Sequence, residues 1–178
     1  GATDWQVPSQ NADGQGPGAQ SFNQRPAGRI GEGGELSLLG TLAGGSYLDG
    51  VTALDSIVLN ETHFLVTSSM HSNGLSVIEI SNNGAMRTLS FFGLDEHLPV
   101  HHPSALTLVE LAGRAFVLLA SYGSASLTVL ELNEEGGLQF VDQVSDTLHS
   151  RFGQASALDT ITVDGQVLVA VAGSDGGL

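Results

Sequence analysis

Cysteine is absent from the 178-residue chain, and so is lysine. Without thiols there are no disulfides, thiolate zinc sites, iron–sulfur clusters or cysteine nucleophiles, while the redox compartment stays open. Positive charge is confined to Arg25, Arg29, Arg87, Arg114 and Arg151, set against 19 Asp and Glu, for a formal net charge of −14. A chain with so few, scattered cations cannot neutralise a row of phosphates, which excludes nucleic acid and anionic membranes as natural partners and makes divalent cations better matched. Long apolar runs are missing too. The runs present, such as Val167–Ala172, are short and β-branched, far below the roughly 20 residues of a membrane-spanning helix. The first residues, Gly1-Ala2-Thr3-Asp4-Trp5, carry neither the positive nor the apolar segment of an intact signal peptide.

What is present suffices for a core. Apolar residues make up 41% of the chain and charged residues 13%, with a mean hydropathy of +0.14, so global disorder is disfavoured. Twenty-four glycines point to many turns. Residues 1–34 differ from the rest, with runs such as Asn11-Ala12-Asp13-Gly14-Gln15-Gly16-Pro17-Gly18 and only Trp5 and Phe22 as aromatic side chains. This stretch reads as an extended arm or linker.

An internal repeat organises the remainder. Thr52-Ala53-Leu54, Ser104-Ala105-Leu106 and Ser156-Ala157-Leu158 recur 52 residues apart, and Leu75, Val77, Glu79 and Gly84 match Leu127, Val129, Glu131 and Gly136 at the same interval. Within one unit, four short β-like runs are separated by turn residues, at about 104–111, 114–121, 125–132 and 137–144 in the middle copy. The second run, Ala115–Ala120, is apolar without alternation, as in a strand covered on both faces; the third, Leu127–Leu132, alternates and predicts one partly wet face. No window carries the stripe of an amphipathic helix.

A unit of about 50 residues with four antiparallel strands is the signature of a β-propeller blade. The expected fold is therefore all-β, a partial propeller of about 2.5 to 3 four-stranded antiparallel blades: full blades at about 51–95 and 103–147, an incomplete one over 156–178, and a stray strand over 35–43. A stack of hairpins in a sandwich or solenoid is the alternative; the unit length and the buried second strand favour radial packing. Propellers close with about 4 to 8 blades, so this span cannot close a ring alone. The reading expects a fragment of a longer polypeptide, with strands supplied by another chain as the alternative.

His102-Pro103-Ser104-Ala105-Leu106, followed by Arg114–Val129, resembles a blade of the lactonase-type, or YVTN-like, propellers. More closely, Leu127–Asp146, then Ser150–Val163 and Ala172–Leu178, resemble the N-terminal propeller regions of large secreted RTX-type calcium-binding proteins of alphaproteobacteria. That resemblance implies a longer parent, type I secretion and an extracellular or cell-surface address, with calcium as the candidate ion. The glycine-rich, Asp-containing nonapeptides of such proteins are not in this sequence, so calcium binding through them does not carry over.

The densest polar constellation is Asp95-Glu96-His97-Leu98-Pro99-Val100-His101-His102-Pro103, between the two full blades. Its imidazoles and carboxylates are candidates for sharing a metal ion (Asp95, Glu96, His97, His101, His102) or for acid–base work (His101, His102, Asp95), although the spacing matches no specific ligand motif and a solvated, hydrogen-bonded loop is the simpler expectation. Asp55 and Asp159 occupy equivalent places with Thr107 between them, fitting hydrogen bonds between blades better than a channel lining. Asp13, Asp49, Asp164 and Asp175 each precede glycine and read as turns. Ser68, Ser69 and Ser121 lack the context of a nucleophile elbow, and Asn60-Glu61-Thr62 is a glycosylation triplet of the sort that arises by chance. No cofactor is required by the residues. The expected function is a non-catalytic extracellular interaction or structural module, completed by a protein partner, a further chain segment or a homo-oligomer. The alternatives are a lactonase-like hydrolase and a self-assembling surface or filament protein.

Overall fold

The computed structural model describes residues 24–43, 47–93, 100–150 and 152–174. Twelve β-strands run through them and no helix is among them: β1 (Gln24–Ile30), β2 (Leu36–Ala43), β3 (Val51–Leu59), β4 (Thr62–Ser69), β5 (Gly74–Ile80), β6 (Met86–Gly93), β7 (Pro103–Leu111), β8 (Arg114–Ser121), β9 (Ser126–Leu132), β10 (Leu138–Ser145), β11 (Ala155–Val163) and β12 (Gln166–Gly173). They form two four-stranded antiparallel sheets in sequence order, β3 to β6 and β7 to β10, flanked by the hairpins β1–β2 and β11–β12. The segment read as an arm thus contains a strand, β1, which pairs with the strand expected over 35–43.

Two kinds of turn build the sheets. The hairpins β3–β4, β7–β8 and β11–β12 close through two left-handed residues, Asn60-Glu61 (φ 46 and 65), Ala112-Gly113 (φ 53 and 74) and Asp164-Gly165 (φ 50 and 75). Such pairs match the natural twist of antiparallel strands. The hairpins β1–β2, β5–β6 and β9–β10 use a longer turn with glycine at φ 85, 84 and 83 (Gly34, Gly84, Gly136). There Ser81 N donates to the Ala85 carbonyl at 2.8 Å and Asn133 N to the Gly137 carbonyl at 3.0 Å, as Gly31 N does to the Glu35 carbonyl at 2.8 Å. Each of these three hairpins also carries a bulge at the same place, Ala27/Gly28, Val77/Ile78 and Phe140/Asp142.

The sheets are tied face to face. Phe64 and Val66 of β4 share one core with Leu106 of β7, Val117 and Leu119 of β8 and Leu130 of β9, every one of them buried. Burying each such side chain contributes about 1.5–3 kcal/mol. A smaller core joins Ala105 and Ala120 to Ala155, with Leu158 and Val171 packed against it. β8 is covered on both faces and β9 alternates buried with half-buried residues, as their sequences predict. The first strands β3, β7 and β11 lie side by side.

Candidate functional site

Polar side chains of the side-by-side first strands form a ladder between sheets. Thr52 Oγ1 donates to the Pro103 carbonyl at 2.8 Å, and 52 residues on Ser104 Oγ donates to the Ala155 carbonyl at 2.5 Å. The Asp55 carboxylate accepts from Thr107 Oγ1 at 3.1 Å and Leu108 N at 2.8 Å, while its other oxygen takes Ser56 N at 2.8 Å. The Asp159 carboxylate takes Thr160 N in the same way, at 2.8 Å, and is exposed. Thr52, Ser104 and Asp55 thus bond sheet to sheet, whereas the bond described for Asp159 stays within its own strand.

At one end of the sheets, the residues leading into β7 are held by main-chain bonds. His102 N donates to Asn73 Oδ1 at 2.7 Å, the His102 carbonyl accepts from Tyr122 N at 3.0 Å, and the His101 carbonyl accepts from Gly123 N at 3.0 Å and Ser124 N at 3.3 Å. The β4–β5 and β8–β9 loops thereby grip one dipeptide. The geometry repeats: Gly50, 52 residues earlier, takes the same left-handed conformation as His102 (φ 66 and 51), and its carbonyl accepts from Met70 N at 3.0 Å. A Cβ at Gly123 would lie 2.9 Å from the His101 carbonyl oxygen, so the grip requires glycine there. Both imidazoles are exposed. Asp95, Glu96 and His97 lie outside the described residues, and among the described residues no three His, Asp or Glu side chains group as metal ligands.

The next connection is organised by Asp146. Its Oδ1 accepts from Phe152 N at 2.8 Å and Ser150 Oγ at 2.9 Å, and these donors, the Phe152 amide foremost, hold its carboxyl below the usual aspartate range. No motif flagged this residue in the sequence. Along the opposite rim, Arg114 forks onto Glu131, with Nε 2.7 Å from Oε1, and its guanidinium stands 5.0 Å over the Phe116 ring. Hydrogen bonding to Arg114 holds Glu131 low and raises the arginine in turn. Arg87 pairs with Glu79, the position equivalent to Glu131.

A cleft of about 810 Å³ opens between β1 and the β3–β4 face, lined by Arg29, Ser56, Val58, His63, Phe64 and Glu110 among others. Ser68 and Thr67 are buried on β4, and Ser121 on β8, with no imidazole bonded to any of them among the described contacts.

No protein-family model and no curated protein matches the chain. Solved structures do. A protein from Lactobacillus plantarum aligns over 85% of this chain with a TM-score of 0.58 at 16% identity, and a functionally unknown protein from Desulfotomaculum acetoxidans over 88% with a TM-score of 0.56 at 16% identity. The chain spans 45% and 56% of their lengths, about half of each. At that identity the likeness carries the all-β fold and nothing about activity.

Proposed function

We propose that the chain is part of a β-propeller that serves as a non-catalytic interaction or structural module within a larger, secreted, acidic protein or assembly. In this reading β3, β7 and β11 are the innermost strands of successive blades around a central axis. The observation that carries it is the inner-strand ladder: the hydroxyls of Thr52, Ser104 and Thr107 and the Asp55 carboxylate are engaged in sheet-to-sheet bonds. The secreted address draws its support from composition, namely the net charge of −14 and the absence of cysteine, and from the likeness to RTX-type propeller regions. Calcium remains the ion that likeness offers, and the module does not depend on it.

The competing hydrolase reading puts His101 or His102 beside a reacting carbonyl as acid or base. Assays of the purified chain against lactones and simple esters distinguish the two. The module reading expects no turnover above buffer and no change in His101→Ala or His102→Ala. Turnover that falls by about a hundredfold in either variant would establish the hydrolase instead.

A further inference from the structure

Asparagine followed by glycine occurs twice in the chain, at Asn73-Gly74 and Asn83-Gly84. In such a pair the glycine amide nitrogen can reach the asparagine side-chain carbonyl, because the following residue has no Cβ to stand in the way. The local chemistry of the two pairs is the same, and the fold treats them differently.

Asn73-Gly74 leads into β5 and is fixed from several sides. Asn73 is half-buried, and its Oδ1 accepts at 2.7 Å from His102 N in the segment entering β7. Gly74 is buried, pairs with Ser69 of β4 and Gly93 of β6, and lies so close to the Tyr47 ring that a Cβ would overlap it. Bringing the Gly74 nitrogen onto the Asn73 side chain would disturb a strand paired on both edges and release the hold on His102.

Asn83-Gly84 lies in the turn between β5 and β6. Ser81, Asn82, Asn83 and Ala85 are exposed, so water reaches the side chain. The Asn83 Oδ1 accepts from Ala85 N at 3.0 Å, which folds the carboxamide back over the turn. That donor polarises the carbonyl and is in place to stabilise the negative charge its oxygen gains when a nucleophile adds. Gly84 is buried, and its amide is held by a bond within the turn, to the Ser81 carbonyl at 2.8 Å. Freeing it requires the turn to open, not the sheet.

We propose that Asn83 is a site of spontaneous deamidation through a succinimide closed by Gly84, and that the fold protects Asn73 from the same reaction. Water is the only co-reactant. The Gly84 amide gives its proton to solvent base and bonds to Asn83 Cγ; the Cγ–Nδ2 bond breaks, and the nitrogen takes up a proton and leaves as ammonia. Water then opens the ring at either carbonyl, giving aspartate or isoaspartate with no change of oxidation state. The two products differ in consequence. Aspartate at position 83 puts a carboxylate where the next repeat already carries Glu135, 52 residues on. Isoaspartate lengthens the main chain of the turn by one atom and displaces the bond from Ser81 N to the Ala85 carbonyl, 2.8 Å, that closes the hairpin.

The test holds the purified protein folded in mildly alkaline buffer, samples it over time, and locates amide-to-acid mass gains by digestion and tandem mass spectrometry. The same protein kept in urea is the unfolded reference. In the folded protein the gain should appear at Asn83 at least about tenfold faster than at Asn73, with aspartate and isoaspartate forms separated by chromatography. In urea the two sites should react at similar rates, since the residue that follows each is the same. Asn83→Gln should keep the circular dichroism of the parent and lose the gain at this position, because the longer side chain closes a less favourable ring. No gain at Asn83 while the urea sample reacts, equal rates at the two sites in the folded protein, or a difference that persists in urea overturns the proposal.

Discussion

Thr67 and Ser121 each bury a hydroxyl for which no hydrogen-bond partner stands in reach among the described residues. A buried polar group left unpaired costs about 1–3 kcal/mol, so replacing Thr67 by valine, equal in shape and without the hydroxyl, should stabilise the fold by about 1 kcal/mol. Urea denaturation would show this as a higher midpoint at unchanged slope; a lower midpoint would mean that the hydroxyl is satisfied. The contrast with Thr52 and Ser104 is instructive. All four residues are small and hydroxylated, and the 52-residue spacing of Thr52 and Ser104 was visible in the sequence, but their acceptors, the carbonyls of Pro103 and Ala155, lie about one repeat away. Spacing identifies a repeated position; only the packed sheets identify what it touches. The same holds for His101 and His102, which stand out by residue type, whereas their observed contribution comes from their main chain.

At the scale of elements, strand limits were legible because burial and turn chemistry alternate so regularly: the runs expected over 104–111, 114–121, 125–132 and 137–144 correspond within one residue to β7 through β10. Two turns escaped. Asn60-Glu61 was legible only as a glycosylation triplet, because glutamate is an unusual left-handed residue, and its equivalence to Ala112-Gly113 shows once the hairpins are overlaid. β1 escaped because its residues, Gln24-Arg25-Pro26-Ala27-Gly28-Arg29-Ile30, carry almost no strand propensity; pairing with β2 imposes the extended form. The connection after β10 offers a pH test. Asp146 is held below the ordinary aspartate value of 3.8, chiefly by the Phe152 amide. A depressed carboxyl stabilises its loop at pH above the ordinary value, and that contribution is lost as pH falls through the depressed one. The Phe152 amide resonance should therefore titrate with a midpoint below 3.8, and Asp146→Asn should abolish the titration. A midpoint at or above the ordinary value would remove the role assigned to this carboxylate.

For the molecule as a whole, stability depends on how each sheet is coupled to the next. Asp55 is the most heavily engaged of the coupling side chains, bonding Thr107 and Leu108 of the neighbouring sheet as well as Ser56 of its own. Asp55→Ala strands the Leu108 amide in a half-buried position and should cost about 1–3 kcal/mol in urea denaturation. Asp55→Asn, which keeps one acceptor oxygen, should recover part of that loss. Indifference to both would mean that the sheets are held by apolar packing of Phe64, Val66 and Val117 alone. Since the main sheet-to-sheet contacts among the described residues join sequence neighbours, such losses should act locally along the row of sheets.

By itself the sequence determined the strand content, the 52-residue unit and the placement of most turns, because these follow from hydrophobic alternation and from residues whose backbone preferences are local. It also determined the charge balance and the chemistry that the absence of cysteine and lysine excludes. Tertiary structure alone decided which polar residues face a neighbour, why Leu168 is exposed where Phe64 is buried, and that β1 pairs with β2. Those properties depend on what lies across the next interface, and a one-dimensional pattern records the position of a side chain along its strand but not the presence of a sheet on its other side.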